Sequence, residues 1–316
     1  MGDSFAGVHW MLVTPFDEQE RVDAPAVSRL VHHAAKAGCA GVVALGEMGE
    51  WRRLTDHERR AVLKRVRDAA DGRLPVTVGV TSLSTFQAVN RAREARELGA
   101  SALMAAPPPM SRPNLVEVQA FYQRLAEAVD LPLVVQDYPQ VTGVALPATF
   151  FAQLAEAVPS FRYIKLEDPP TPPKITQIRR LVPEQIGVFG GLGGVYLLSE
   201  LERGAMGAMT GFAFPEVLVK VCRLAGEGAR EEAAQLYCRY LPLVLYEGQE
   251  GIGLSLRKHA LLLRGLIGCA RVRHPGPNVD EPTRQELHTL IRHLGLSTVR
   301  RSTEWVHPTS QSYQSR

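Results

Sequence analysis

Eight short β-favouring runs at regular spacing, helical stretches between them and more helix after the last predict an α/β chain, a TIM (β/α)8 barrel with a C-terminal helical extension. The runs begin near residues 8, 41, 75, 101, 131, 161, 186 and 205, about 28 residues apart, which suits one strand, one helix and two short loops per unit. Eight equal units fit a closed barrel, whereas a doubly wound sheet seldom needs so many.

In order, the strands are read in "VHWMLVTPF", "GVVAL", "PVTVGV", "SALMAAP", "LPLVVQD", "FRYIKLED", "IGVFGG" and "AMGAMTG". Helix starts between them carry the residues of capping boxes: Thr55 with Glu58, Ser84 with Gln87 and Asn114 with Glu117. This places the barrel in 1–228. The stretches "REEAAQLYCRYLPLVL", "GLSLRKHALLLRGL" and "TRQELHTLIRHLG" have helical spacing and assign 229–296 to helices packed on the barrel. The polar residues 297–316 are expected to form a frayed tail.

The net charge of +3 is small for 316 residues, and the basic residues are spread along the chain. That argues against nucleic acid or an anionic membrane and for a small-molecule partner. No apolar run approaches the roughly 18 residues of a membrane span, and the first 20 residues lack the layout of a signal peptide, so a cytoplasmic protein is expected. Cys39, Cys222, Cys238 and Cys269 are scattered without a CxxC pair, which supports neither a zinc site nor a disulfide framework.

A barrel builds its active site at the C-terminal ends of its strands. The residues expected there are Thr14, the loop "GEMGE" (46–50), "TSLST", "PPPMSRP", "QDYP" (136–139), Lys165, "GGLGG" (190–194) and "TG" (210–211). Lys165 is the one lysine in this set. An ammonium at a buried strand end costs desolvation free energy unless it is paired or sheds its proton. Two readings stand side by side: a salt bridge to Glu167 or Asp168, or a neutral amine that attacks a carbonyl to form a Schiff base. Glu167, at i+2, shares the strand face of Lys165, while Asp168 points away.

The ordered set "LVTPF" on strand 1, "GxxGE" after strand 2 followed by "LTDHER", "VGV" and "ST" on strand 3, "YIK" on strand 6 and "GAMGAMTG" on strand 8 resembles the dihydrodipicolinate synthase and N-acetylneuraminate lyase family, from about residue 8 to 295. The resemblance implies a TIM barrel with C-terminal helices, assembly as a homodimer or homotetramer, no metal or organic cofactor, and Lys165 as the Schiff-base lysine for pyruvate or another 2-oxo acid.

The departures from that pattern bear on the chemistry. The family's usual "GTTGE" supplies a relay threonine and a carboxylate-binding threonine, where this chain has Glu47 and Met48. Its proton-shuttling tyrosine falls at Gln136, with Tyr138 two residues along on the same face; a second relay tyrosine falls at Met110, and a carboxylate-engaging arginine at Val141. Met48 and Met110 are expected to fill space, and Gln136, which has no useful pKa, to bind substrate. Glu47 beside apolar Met48 would suit general acid/base work if it is buried, and would be a bystander if it turns outward or pairs with Lys165. Glu50 is expected to be structural.

The expected catalytic set is therefore Lys165, Glu47 and Tyr138, with Gly46, Met48, Met110, Gln136, Gly190 and Met209 around the substrate. "GGLGG" offers backbone N–H groups of a kind that hold phosphate in some barrels, but the matching family loop binds none. His32, His33 and His57 read as surface or packing groups, and "EDPPTPPK" as a stiff loop over the barrel mouth. The expected function is a Schiff-base lyase or aldolase acting on a 2-oxo acid or small carbonyl compound, distinct from authentic dihydrodipicolinate synthase. The alternatives are an imine-dependent hydratase or dehydratase of a sugar-derived 2-oxo acid, and a non-catalytic binding relative.

Overall fold

A computed structural model describes residues 5–299. Eight parallel strands close in the order β1 to β8, with β8 pairing back to β1. They are β1 (Gly7–Met11), β2 (Gly41–Ala44), β3 (Val76–Gly79), β4 (Ala102–Ala105), β5 (Leu133–Asp137), β6 (Phe161–Leu166), β7 (Gly187–Gly190) and β8 (Gly207–Thr210), one for each run expected from the sequence.

Alternation along the strands sorts side chains into two cores. Met11, Val43, Met104, Val134, Phe189 and Met209 fill the lumen. Their strand neighbours Val42, Val76, Leu103, Val135, Ile164 and Leu166 face outward into the helical layer. That layer comprises α1 (Ala24–Lys36), α2 (Asp56–Ala70), α3 (Thr85–Glu97), α4 (Leu115–Ala128), the four-residue α5 (Pro139–Thr142), α6 (Ala148–Ala157), α7 (Thr171–Leu181), α8 (Leu197–Glu202) and α9 (Pro215–Gly226). Thr55 and Glu58 form a complete capping box on α2. Ser84 caps α3 through the N–H of Gln87, and Asn114 caps α4 through that of Val116 rather than Glu117.

Helices α10 (Arg230–Glu247), α11 (Gly253–Leu263) and α12 (Glu281–His293) follow the barrel. Two tethers seat them against the C-terminal-end loops. The Tyr237 hydroxyl on α10 donates to the carbonyl of Gly194, 3.0 Å away, in the loop after β7. The Lys258 ammonium on α11, fully buried, donates to the Glu50 carboxylate in the loop after β2. Glu50 also accepts from Arg53 and from the N–H of Arg273, which makes it the structural group expected.

The proline-rich "EDPPTPPK" stretch does not cover the mouth. Helix α7 starts at Thr171, because prolines in a first helical turn forgo only N–H groups that the helix leaves unpaired. The segment beside the mouth is instead the α10–α11 connection. Of the expected tail, 300–316 lies outside the described residues, and Val299 is tied down by donating to the carbonyl of Leu263.

Candidate active site

Strand β6 lies between β5 and β7, with Lys165 in register with Gln136 on one side and Phe189 on the other. Tyr163 packs against the lumen cluster while Ile164 and Leu166 point outward, so the alternation that builds the strand aims Lys165 inward at its C-terminal end. Lys165 is 4 % exposed. It lines a cavity of about 350 Å³ with Glu47, Met48, Gln136, Tyr138 and Glu167.

Glu167 organises the floor of this cavity. Its Oε2 lies 2.9 Å from the Lys165 Nζ and accepts a hydrogen bond from the Gln136 Nε2 at 2.6 Å. Its Oε1 accepts from the N–H of Leu192 at 3.4 Å. A side chain at Gly191 would bring a Cβ within 2.2 Å of the Glu167 Cγ, so the glycine makes room for this carboxylate. The loop that offered N–H groups to a phosphate thus gives one of them to Glu167. The salt-bridge reading of Lys165 is correct as geometry, and it leaves the amine's access to the cavity intact.

Of the readings open to Glu47, the structure gives a carboxylate that lines the cavity without being buried. Glu47 begins a short 3₁₀ turn, is about one-third exposed, accepts from the Trp51 Nε1 at 2.7 Å and pairs with Arg52 at 3.3 Å. The cause is local: Glu50 takes a left-handed conformation (φ 55°), held by Lys258 and Arg53, and a second turn from Trp51 follows at once. Tyr138 stands at the N-terminus of α5 and lines the cavity. Burial pushes its hydroxyl up to about 12, with the negative charges of Glu167 and Glu47 adding to the effect. Near neutral pH it is a donor.

Three residues expected on the wall stand elsewhere. Gly46 packs on the Met11 methyl, where a Cβ would approach to 2.6 Å. Gly190 is closed off by the Glu200 carboxylate. Met110 packs, partly buried, against the outer core. Met48 and Met209 do line the cavity.

Three charged groups that sequence reasoning passed over also reach it, Glu247 at the end of α10, Glu250 in the connection that follows and Arg257 on α11. The signal for Arg257 in the sequence was the Arg–Lys pair inside "LSLRKHALLL", two cations on a helix otherwise almost wholly apolar. No group of three or more His, Cys, Asp or Glu side chains able to hold a metal ion occurs among the described residues, and none of their helices is long and apolar enough to cross a membrane. A larger cavity, about 550 Å³, opens at the opposite end of the barrel, where Gly7 and Ala40 meet Leu198 and Cys222. None of its lining residues stands at a strand C-terminus, where barrels carry chemistry.

Comparison with known proteins decides the family. The model of the dihydrodipicolinate synthetase family matches residues 4–294. The chain belongs to this family. Among relatives, it is 32 % identical over 305 residues to an L-2-keto-3-deoxyarabonate dehydratase from Azospirillum brasilense, covering 95 % of this chain and 97 % of the relative. It is 30 % identical over 294 residues to a 4-hydroxy-tetrahydrodipicolinate synthase from Acidobacterium capsulatum, covering 92 % and 96 %. Among solved structures of the dihydrodipicolinate synthetase family, the synthase from Rhodopseudomonas palustris superposes with a TM-score of 0.87 at 34 % identity, covering 92 % and 97 %. A variant described as the first monomeric dihydrodipicolinate synthase gives 0.88 at 26 %, covering 93 % and 98 %.

Proposed function

We propose that this chain is a lysine Schiff-base lyase that dehydrates a sugar-derived 2-oxo acid. The observation that carries the reading is the single carboxylate, Glu167, held against both the Lys165 Nζ and the Gln136 amide. The likeness to a 2-keto-3-deoxy sugar acid dehydratase over nearly the whole of both chains supports the choice of reaction.

Glu167 takes a proton from the Lys165 ammonium, and the neutral amine attacks the C2 carbonyl carbon. Glu167 returns that proton to the carbinolamine hydroxyl, which leaves as water, so the nitrogen becomes a protonated imine. Its positive charge stabilises the carbanion formed when Glu167, again a carboxylate, removes a C3 proton. The resulting enamine expels the C4 hydroxyl as water with the proton from Glu167, and hydrolysis of the imine restores the ion pair. Gln136 keeps Glu167 in place, and Tyr138 donates to the departing or entering oxygen. Glu47, engaged with Trp51 and Arg52, shapes the rim.

The test is borohydride trapping with a 2-keto-3-deoxy pentonic acid, read by peptide mass, alongside product analysis. An adduct on Lys165 and loss of one water are expected. Pyruvate as product would assign retro-aldol cleavage through the same imine, the reading favoured by the synthase relatives. No adduct with any carbonyl compound would make the chain a binding protein.

We also take the protein to be cytoplasmic and to assemble as a homodimer or homotetramer. Leu83, Phe86 and Val116 are 72 %, 76 % and 75 % exposed around the starts of α3 and α4, which pack on each other and so present an apolar patch that a second copy would cover. Light scattering on the parent and on Phe86→Asp tests this; a monomeric parent would refute it.

A further inference from the structure

The cavity around Lys165 is acidic for a site meant to receive an acid. Four glutamates, Glu47, Glu167, Glu247 and Glu250, line it against two cations, Lys165 and Arg257. Lys165 already faces Glu167, so a substrate carboxylate, which sits one bond from the carbonyl to be attacked, has Arg257 as its remaining source of positive charge.

Arg257 comes from α11, outside the barrel, and its side chain is 12 % exposed. Its contacts are weak for a guanidinium with five donors. The nearest carboxylate oxygen, Glu247 Oε2, lies 3.7 Å from its Nε, and that Nε finds no hydrogen-bond partner among the described residues. One terminal nitrogen donates to the Met48 sulfur at 3.2 Å, and sulfur is a poor acceptor. The other lies over Gly193, where a side chain would bring a Cβ within 2.9 Å of it. Gly193 is left-handed (φ +72°), so the loop after β7 is both shaped by glycine and kept bare beneath this guanidinium. Glu247 is itself engaged with the N–H of Ala213 at 3.0 Å, and burial pushes its carboxyl up to about 7, which lessens the charge it offers Arg257 near neutrality.

A cation kept from water, short of strong acceptors and open to the cavity is suited to bidentate capture of a carboxylate. We propose that Arg257 binds the carboxylate of the 2-oxo acid and makes the site select acids over neutral carbonyl compounds. The proposal rests on the Lys165 reading only in taking the carbonyl beside that carboxylate to be the reacting one.

The experiment uses two probes that form no imine: oxamate, a planar carbonyl beside a carboxylate, and oxamide, in which a neutral amide replaces the carboxylate. Binding of each is measured by calorimetric titration on the full-length protein. The parent should bind oxamate at least about tenfold more tightly than oxamide, and Arg257→Met should erase that preference, in keeping with loss of a charge-assisted pair. Arg257→Lys keeps the charge and the apolar stem without the planar fork, and should retain only part of the preference. A parent without preference, or a preference unchanged in Arg257→Met, overturns the proposal. If Arg257→Met does not fold, an unchanged preference in Arg257→Lys overturns it equally. Borohydride trapping of pyruvate on Lys165, run in parallel, reports on the Schiff-base reading separately, so failure of one does not pass for failure of the other.

Discussion

Lys165 and Glu167 stand two residues apart at the end of β6, with Nζ and Oε2 2.9 Å apart and both side chains buried. A strand repeats its side-chain direction every second residue, so the pair is a direct product of local geometry. The ion pair and the chemistry are complementary: a buried ammonium needs a counter-charge in the resting state, and a nucleophilic amine needs somewhere to leave its proton. On the proposed Schiff-base reading, one carboxylate serves both needs.

Lys165→Ala is expected to abolish the borohydride adduct and turnover while leaving a folded barrel. Peptide mass mapping after trapping decides it. An adduct on Lys258, the other buried lysine, would move the chemistry to the wrong side of the loop after β2 and remove the central claim.

Glu167→Gln should lower turnover by about 10² to 10⁴, the usual worth of general acid/base assistance. Glu47→Gln should cost less than about tenfold, because its carboxylate is occupied by Trp51 and Arg52. Glutamine in place of Glu167 still offers an oxygen to Lys165, so the comparison isolates proton transfer from packing. Equal losses in the two variants would return Glu47 to the proton role that its sequence position invites.

Condensation of pyruvate with aspartate semialdehyde should be slow, below the ordinary enzyme range of about 1 to 10³ per second. Gln136 carries no titratable group, and Tyr138, pushed up to about 12, does not act as a base at neutral pH. A coupled assay measures this, and ordinary turnover would show that the pocket relays protons without Gln136 or Tyr138 acting as base.

The barrel was legible because each strand is a short β-favouring run at an even interval, and Lys165 because a charge inside such a run is conspicuous. Glu167 was visible only as a neighbour, since its hold on Gln136 depends on the β5–β6 register. The direction of Glu47 was hidden in the left-handed Glu50, which depends on Lys258 more than 200 residues away. Arg257 was hidden for the same reason: helical periodicity gives the face of α11, and only the packing of α11 over the mouth turns that face toward Lys165.

The last prediction concerns Glu200 on α8, behind the floor of the site. It is 1 % exposed; the Thr171 hydroxyl donates to its Oε1 at 2.6 Å, and its Oε2 has no hydrogen-bond partner among the described residues. Burial pushes its carboxyl from 4.5 up to about 7, against the Thr171 bond and with help from the Glu167 charge. Between these values the folded protein holds a proton that the unfolded chain has released, so this group lowers stability as pH rises through the window and keeps it lowered above about 7. Glu247, also pushed up to about 7, acts with the same sign, while His259, buried and pushed down to about 4, acts with the opposite sign between about 4 and its usual 6.5. The parent's pH profile is thus a composite, and the difference between Glu200→Gln and parent isolates one group. That difference in Tm should move in favour of the variant by at least about 2 °C between pH 5 and pH 8, as expected for roughly 1 kcal/mol or more in a chain of this size. Thermal scans in which the difference stays constant across that range would mean that Glu200 is ionised in the fold, and that the loop after β7 supplies it with a partner.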